Sequence, residues 1–148
     1  MNSTTFTAFA TSNAHSARPQ RRVLRSVGAV LAGFLAIAIT STATDALMRA
    51  LGIFPSGITD PMSDGLLLLA AAYRAVYGIF GTYLAARLAP SKPLQHALVL
   101  GAIGVVLGTL GAIAMWSVGG HWYAIANIAI PLPAAVIGGK LAQFRSKV

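Results

Sequence analysis

The chain has 148 residues, of which 56% are hydrophobic and 9% are charged, whereas soluble domains carry about 25% charged residues. Eleven basic residues against three acidic ones give a formal net charge of +8, and there is no cysteine. This composition excludes an ordinary soluble domain and favours an integral membrane protein. The absence of cysteine excludes disulfides, thiolate metal sites and cysteine nucleophiles.

The basic residues form short clusters beside apolar runs, and do not follow one polar face. This arrangement is typical of membrane topology, and we expect a lipid bilayer as partner and no nucleic acid. The three histidines have no metal-ligand spacing among themselves.

Residues 1–22 are predicted to be a disordered basic tail, because residues 1–20 are rich in Ser, Thr, Ala and Asn and show no apolar periodicity. Two alternatives remain for this end of the chain. Arg21 and Arg22 before an apolar run resemble a twin-arginine export signal, with a small-residue cleavage site at residues 41–43. The acid-free, Ser-rich composition also resembles an organellar transit peptide. A retained first span is favoured, because no soluble cargo follows it.

Four apolar segments follow, and each has about the twenty residues that a helix needs to cross a bilayer. They are predicted at residues 23–48, 66–88, 94–118 and 122–142. The last two connections are too short for anything but antiparallel neighbours. The fold class is therefore predicted to be all-α, a membrane-embedded four-helix bundle in up-down-up-down order over residues 23–142, followed by a basic cytoplasmic tail at 143–148.

The charges predict the orientation of these spans. Nine of the eleven basic residues fall on one side, which should be cytoplasmic: Arg18, Arg21, Arg22, Arg25, Arg87, Lys92, Lys140, Arg145 and Lys147. All three acids lie in the opposite half, and Trp122 and Tyr123 mark its boundary. We expect a multi-pass protein of the cell inner (cytoplasmic) membrane with both termini in the cytoplasm.

Small residues are predicted to bring the helices together, because apolar burial does not drive association in lipid. The third span carries a glycine stripe with spacing 3, 4 and 3: Gly101, Gly104, Gly108 and Gly111. The second span offers an opposing surface that includes Gly78 and Gly81. Packing within the chain is the favoured interpretation, and a homo-oligomer contact is the alternative.

Arg74 is the most informative polar residue, because it lies about 12 Å into the second span at 1.5 Å per residue. A guanidinium at that depth costs at least about 2.5 kcal/mol unless it is paired or hydrated. Asp45 is the predicted partner, because it lies near the outer end of the first span, at a depth similar to that of Arg74. A local Asp45–Arg49 pair at i,i+4 competes for this carboxylate.

Other polar side chains are predicted to complete the cluster around Asp45 and Arg74. These are Tyr73, Tyr77, Asn127 and His121. A structural ion pair is the favoured interpretation, and a solute or proton site is the alternative, because an intramembrane arginine indicates function by default.

Pro131 and Pro133 fall near the middle of the fourth span and predict a kink, since proline removes a backbone donor and clashes with the preceding turn. Discontinuous helices are a transporter device, but prolines are also common in ordinary membrane helices.

The sequence contains no paired carboxylates in one site, no nucleophile motif and no phosphate-binding loop. We therefore predict no enzyme, no catalytic residue, no cofactor and no metal.

Several pairs of residues carry a resemblance to a known family over about residues 23–142. They are Thr44-Asp45, Asp64, Tyr73-Arg74, Tyr77-Gly78, Ala89-Pro90, His96-Ala97, Trp122-Tyr123 and Gly138-Gly139. In this order they resemble a family of small four-span bacterial inner-membrane proteins with no known activity. The resemblance implies a fold and a location, and it transfers no functional residue.

Three functions remain open from the sequence. A non-enzymatic membrane module that acts through helix packing or a partner is favoured. The first alternative is a small oligomeric permease or proton-coupled transporter that uses the polar cluster. The second is a membrane-embedded enzyme, which would need a further reactive group beside Asp45.

Overall fold

The computed structural model describes residues 3–57, 59–117 and 120–145, with side-chain surroundings from residue 21 onward. Within these ranges the fold is all-helical, as predicted: α1 (Ser3–Ala50), α2 (Asp64–Leu88), α3 (Pro93–Ala114), α4 (His121–Ala129) and α5 (Pro131–Arg145). Helices α4 and α5 follow each other directly across Ile130. The helices supply four segments long and apolar enough to cross a membrane: Arg21–Ala50, Asp64–Leu88, Pro93–Ala114 and His121–Arg145.

Two helix boundaries differ from the predicted ones by four residues or more. The backbone of α1 is helical from Ser3, whereas the predicted first span began at residue 23. Helix α3 ends at Ala114 rather than near residue 118. A turn at residues 115–117 follows it and places the Trp116 ring 4.5 Å from the His121 ring, centroid to centroid. Residues 1, 2, 118, 119 and 146–148 of the predicted segments lie outside the described ranges.

The end of α1 is fixed by a glycine in a left-handed conformation. Gly52 has φ of +70°, and its N–H donates to the carbonyl of Arg49 at 3.0 Å. The N–H of Ile53 donates to the carbonyl of Met48 at 2.9 Å. This pair of bonds is a Schellman motif, which satisfies carbonyls that the helix leaves free and turns the chain sharply. Residues 51–57 are thereby folded back beside the end of α1.

The interior is built mostly from small residues, and most large apolar side chains point outward. Ala85, Ala97 and Ala135 are completely buried, whereas the side chains of Ile113 and Phe144 are 71% and 70% exposed. Small residues allow helix backbones to approach closely. The described part of the chain thus presents an apolar exterior around an alanine and glycine core.

Helix α2 contacts all the other helices, as α3 does, and its most extensive contacts are with α1 and α5. It meets α1 at Gly33 and Gly81, where a Cβ added to Gly33 would lie 2.5 Å from the Gly81 carbonyl oxygen. It meets α5 at Gly138, where a Cβ would lie 2.6 Å from the carbonyl oxygen of Ile79. Beside Gly138, the buried Thr82 hydroxyl lies 3.0 Å from the Ala134 carbonyl oxygen. Glycine therefore brings backbones into direct contact on two sides of α2.

The glycine stripe of α3 faces α4 and α5. A Cβ on Gly101 would lie 3.1 Å from the Pro131 carbonyl oxygen, and a Cβ on Gly104 would lie 2.8 Å from the Pro131 Cβ. A Cβ on Gly108 would lie 2.7 Å from the carbonyl oxygen of Asn127. Three of the four glycines are thus engaged within the chain.

The prediction that the second span opposes this stripe is wrong. Gly81 packs against α1. Gly78 faces α5, where a Cβ added to Gly78 would lie 3.4 Å from the Cβ of Ala134. Gly111, the last member of the stripe, has no atom within 4 Å of its Cβ position. The glycine spacing predicts which face of α3 is packed. It does not predict the neighbouring helix, because several helices carry small residues.

The fourth apolar segment is interrupted directly before Pro131. Ile130 keeps right-handed helical angles, and its N–H donates to the Ala126 carbonyl at 2.9 Å. Pro131 and Pro133 have no N–H, so the carbonyls of residues 127 and 129 lack their usual i+4 donors. The predicted kink residues therefore lie at the junction of α4 and α5.

Candidate functional site

An ion pair joins α1 to α2 near the loop at residues 51–63. The Nη2 atom of Arg74 lies 2.7 Å from Oδ2 of Asp45, and the two side chains are 33% and 25% exposed. The Tyr73 hydroxyl donates to the other oxygen of the same carboxylate. Both carboxylate oxygens of Asp45 are therefore engaged by α2.

The guanidinium of Arg74 also reaches α4, where its Nη1 donates to the hydroxyl of Tyr123. The Arg74 guanidinium carbon lies 6.0 Å from the Tyr73 ring centroid and 5.9 Å from that of Tyr123. Aromatic faces at this distance stabilise a cation. Arg74 thus connects three of the helices.

Two further hydrogen bonds hold the surrounding side chains in place. The hydroxyls of Thr44 and Tyr77 lie 2.9 Å apart and join α1 to α2. The Asn127 side chain donates to the backbone carbonyl of Tyr123 at 2.9 Å. Because residues 123 and 127 are one turn apart, they share a face of α4.

A cavity of about 430 Å³ borders the ion pair. Four charged residues line it, two acidic and two basic: Asp45, Asp60, Arg49 and Arg74. Tyr123 and Asn127 add polar groups, and Leu67, Leu107 and Met115 add apolar walls. We name this space the charged cavity. Its volume lies in the range of small-molecule sites, and it combines apolar walls with few polar groups as such sites do.

The other two charged residues of the charged cavity, Arg49 and Asp60, form hydrogen bonds with the loop backbone. Nη1 of Arg49 donates to the carbonyls of Pro55 and Gly57, at 2.7 and 3.1 Å. The Gly57 N–H donates to Oδ2 of Asp60 at 2.9 Å. The Arg49 guanidinium therefore bonds loop carbonyls, while Arg74 takes the Asp45 carboxylate.

A second cavity of about 240 Å³ adjoins the first. It is mostly apolar, with walls that include Phe34, Leu100 and Pro131, and we name it the apolar cavity. Among the residues described, Ser41 has a buried hydroxyl oxygen with no hydrogen-bond partner, and Ser41 lines this cavity. Arg74 lines both cavities.

The structure brings most of the predicted cluster together. Tyr73 and Arg74 both form hydrogen bonds with Asp45. Asn127 lines the charged cavity beside them. Tyr77 is hydrogen-bonded to Thr44, the residue before Asp45.

His121 does not join the cluster, because it is exposed and its ring lies against that of Trp116. It stands two residues before Tyr123, or about 200° around the helix, so the two side chains leave opposite faces of α4.

Sequence reasoning missed the role of Tyr123, which was interpreted as a boundary aromatic residue. Its i,i+4 spacing from Asn127 was the signal that could have identified it. It also missed Asp60 and the loop contacts of Arg49, which depend on the conformation of the loop and carry no spacing signal.

The arrangement presents a carboxylate, a guanidinium and the Tyr123 hydroxyl to a cavity of small-molecule size. Arg74 donates once from each terminal nitrogen, and one third of its side chain is exposed, so further N–H groups remain for a ligand. In the described ranges, no three His, Cys, Asp or Glu residues come together as a metal site.

The fold and the site define a class: an all-helical protein with four helices long and apolar enough to cross a membrane, and a charged cavity between them. No protein-family model, no curated protein and no solved structure matches the chain.

Proposed function

We propose that the chain is a multi-pass integral protein of a bacterial inner membrane, with four spans in up-down-up-down order and both termini in the cytoplasm. The apolar exterior supports insertion, because such a surface is unstable in water and stable in lipid. Contacts along the first two helices support an antiparallel order. Gly33 lies beside Ala85, while Asp45, further along α1, contacts Arg74, which is earlier in α2.

Cysteine labelling tests this topology on a chain that has no cysteine of its own. Ser56 and Ser91 are exposed loop residues on opposite sides in this arrangement. We expect Ser56→Cys to react with an impermeant maleimide in intact cells, and Ser91→Cys to react only after permeabilisation. The reverse pattern would overturn the orientation, and equal labelling of both in intact cells would overturn the four-span topology.

We further propose that the protein is a non-enzymatic solute-binding membrane protein of the permease type, and that the charged cavity is its binding site. The observation that carries this proposal is that the Asp45–Arg74 pair borders a cavity large enough for a small molecule. Action through helix contacts has less support, because Gly101, Gly104 and Gly108 are engaged within the chain.

Water access to the charged cavity tests this function. Ala112 and Ala97 both lie on α3 and are both buried, but only Ala112 lines the charged cavity. In lipid nanodiscs, where both faces are accessible, we expect Ala112→Cys to react with a charged thiosulfonate over the time in which Ser56→Cys reacts. Ala97→Cys, packed beside Ala86 and Ala142, should stay unreacted. If Ala112→Cys also stays unreacted, the charged cavity is closed to water and the proposal fails.

A further inference from the structure

The two cavities share part of their lining. Both cavities are lined by Arg74, Leu107, Gly108 and Asn127, so these residues form the partition between them. Gly108 lies against the backbone of α4, and a Cβ there would be 2.7 Å from the Asn127 carbonyl oxygen. The backbone part of the partition is therefore tightly packed. Its adjustable parts are side chains, above all the long side chain of Arg74.

Few of the residues that line the apolar cavity have polar side chains. Ser41 offers its unpartnered hydroxyl, and Asn127 and Thr82 contribute further polar groups. The Thr82 hydroxyl is already engaged by carbonyl oxygens. Of the described residues that line this cavity, Arg74 is the charged one. The wall of the apolar cavity therefore presents a guanidinium whose counter-charge, Asp45, lines only the charged cavity.

The charge on this wall selects a class of solute. A cation that passes from the charged cavity to the apolar cavity must approach the guanidinium of Arg74 in surroundings of low dielectric constant, where repulsion between like charges is strong. An anion is attracted there. It can also replace the Asp45 carboxylate as the partner of Arg74, since a guanidinium binds carboxylates and sulfonates with the same planar set of donors.

We propose that the two cavities are consecutive parts of one route for a small organic anion, a carboxylate or sulfonate, and that Arg74 is both the movable partition and the anion-binding group. When the anion takes the place of Asp45 on Arg74, the Tyr73 hydroxyl still donates to Asp45. The displaced carboxylate therefore keeps a hydrogen bond. This inference rests on the proposed solute-binding function and names its solute class and its route.

The test compares how fast an anionic and a cationic thiol reagent react with a cysteine in the apolar cavity. Ser41→Cys places a thiol of similar size at the unpartnered hydroxyl, in a chain without other cysteines. In lipid nanodiscs, this variant is treated with an anionic reagent, 2-sulfonatoethyl methanethiosulfonate, or a cationic one, the 2-(trimethylammonium)ethyl analogue. Each rate is divided by the rate of the same reagent at Ser56→Cys, which lies on an exposed loop. We expect the normalised rate of the anionic reagent to be at least about tenfold higher, because an anion can replace Asp45 on Arg74, whereas the guanidinium repels a cation.

Two matched arginine variants assign the selectivity. In the Ser41→Cys background, Arg74→Gln should abolish the preference for the anionic reagent, and Arg74→Lys should keep it. Arg87→Gln should leave the preference at Ser41→Cys unchanged, because Arg87 is exposed and lines neither cavity. If Arg74→Gln does not fold, Asp45→Asn decides: it frees Arg74 and removes a negative charge, so the anionic rate at Ser41→Cys should rise.

The outcomes separate this inference from the function on which it rests. No reaction at Ala112→Cys overturns the solute-binding function itself. Reaction at Ala112→Cys with equal normalised rates, or with no reaction, at Ser41→Cys overturns only the anion route. A preference that survives Arg74→Gln, or an anionic rate that Asp45→Asn leaves unchanged, overturns the role of Arg74.

Discussion

Gly138→Ala is expected to destabilise the protein, because the added methyl group would meet the backbone of α2. A Cβ at this position would lie 2.6 Å from the Ile79 carbonyl oxygen and 2.7 Å from the Tyr83 backbone nitrogen, and it would also meet the Thr82 hydroxyl. Both distances involve backbone atoms of α2, which cannot rotate away, so α5 must move outward. Overpacking of this kind costs about 1–3 kcal/mol and occasionally more. Relative to a methyl group added at an open helical position, the free energy of unfolding in mixed micelles, measured by SDS titration, should fall by about 1–3 kcal/mol.

Gly111→Ala is the matched control for this experiment. It also adds a methyl group to a helical glycine, but its Cβ position has no atom within 4 Å. Alanine is favoured over glycine in a helix interior by about 1 kcal/mol, so Gly111→Ala should leave stability unchanged or raise it slightly. Equal losses from Gly111→Ala and Gly138→Ala would show that the α2–α5 contact does not depend on a missing side chain.

The helices could be predicted from the sequence because the constraint on them is simple. A run of about twenty apolar residues without acids has few alternatives to a long helix, and proline and glycine mark where such runs end. The glycine stripe of α3 was recognised for the same reason, since its spacing defines a helical face. Its partner was not, because small residues occur on several helices and spacing gives no information about which of them is adjacent.

The centre of the candidate site could also be predicted from a single physical argument. An arginine deep in an apolar helix requires a partner, and Asp45 was the acid at similar depth. Tyr123 and Asp60 required information that local sequence does not contain. The first depends on how α4 is rotated against α2, and the second on the loop conformation that follows the left-handed turn at Gly52.

Substitutions of Asp45 and Arg74 are expected to lower the free energy of unfolding by amounts that are not additive. Asp45→Asn leaves the guanidinium without its carboxylate, and Arg74→Gln leaves the carboxylate without its guanidinium. Each single substitution should lower the free energy of unfolding by about 2–4 kcal/mol, since an unpaired charge among apolar helices is costly. The double variant has neither charge, so it should lose clearly less than the sum of the two. The expected coupling energy is about 1–3 kcal/mol.

A second cycle on the same carboxylate shows whether this coupling is specific to Arg74. Arg49 stands one turn after Asp45 on α1, but its guanidinium donates to the carbonyls of Pro55 and Gly57. Asp45→Asn and Arg49→Gln should therefore be additive within about 0.5 kcal/mol in the same SDS titration. Additive energies for Asp45 and Arg74, together with a coupling between Asp45 and Arg49, would assign the carboxylate to the local i,i+4 pair. In that case Arg74 would have no fixed counter-charge in the described structure, and the partition between the two cavities would no longer depend on Asp45.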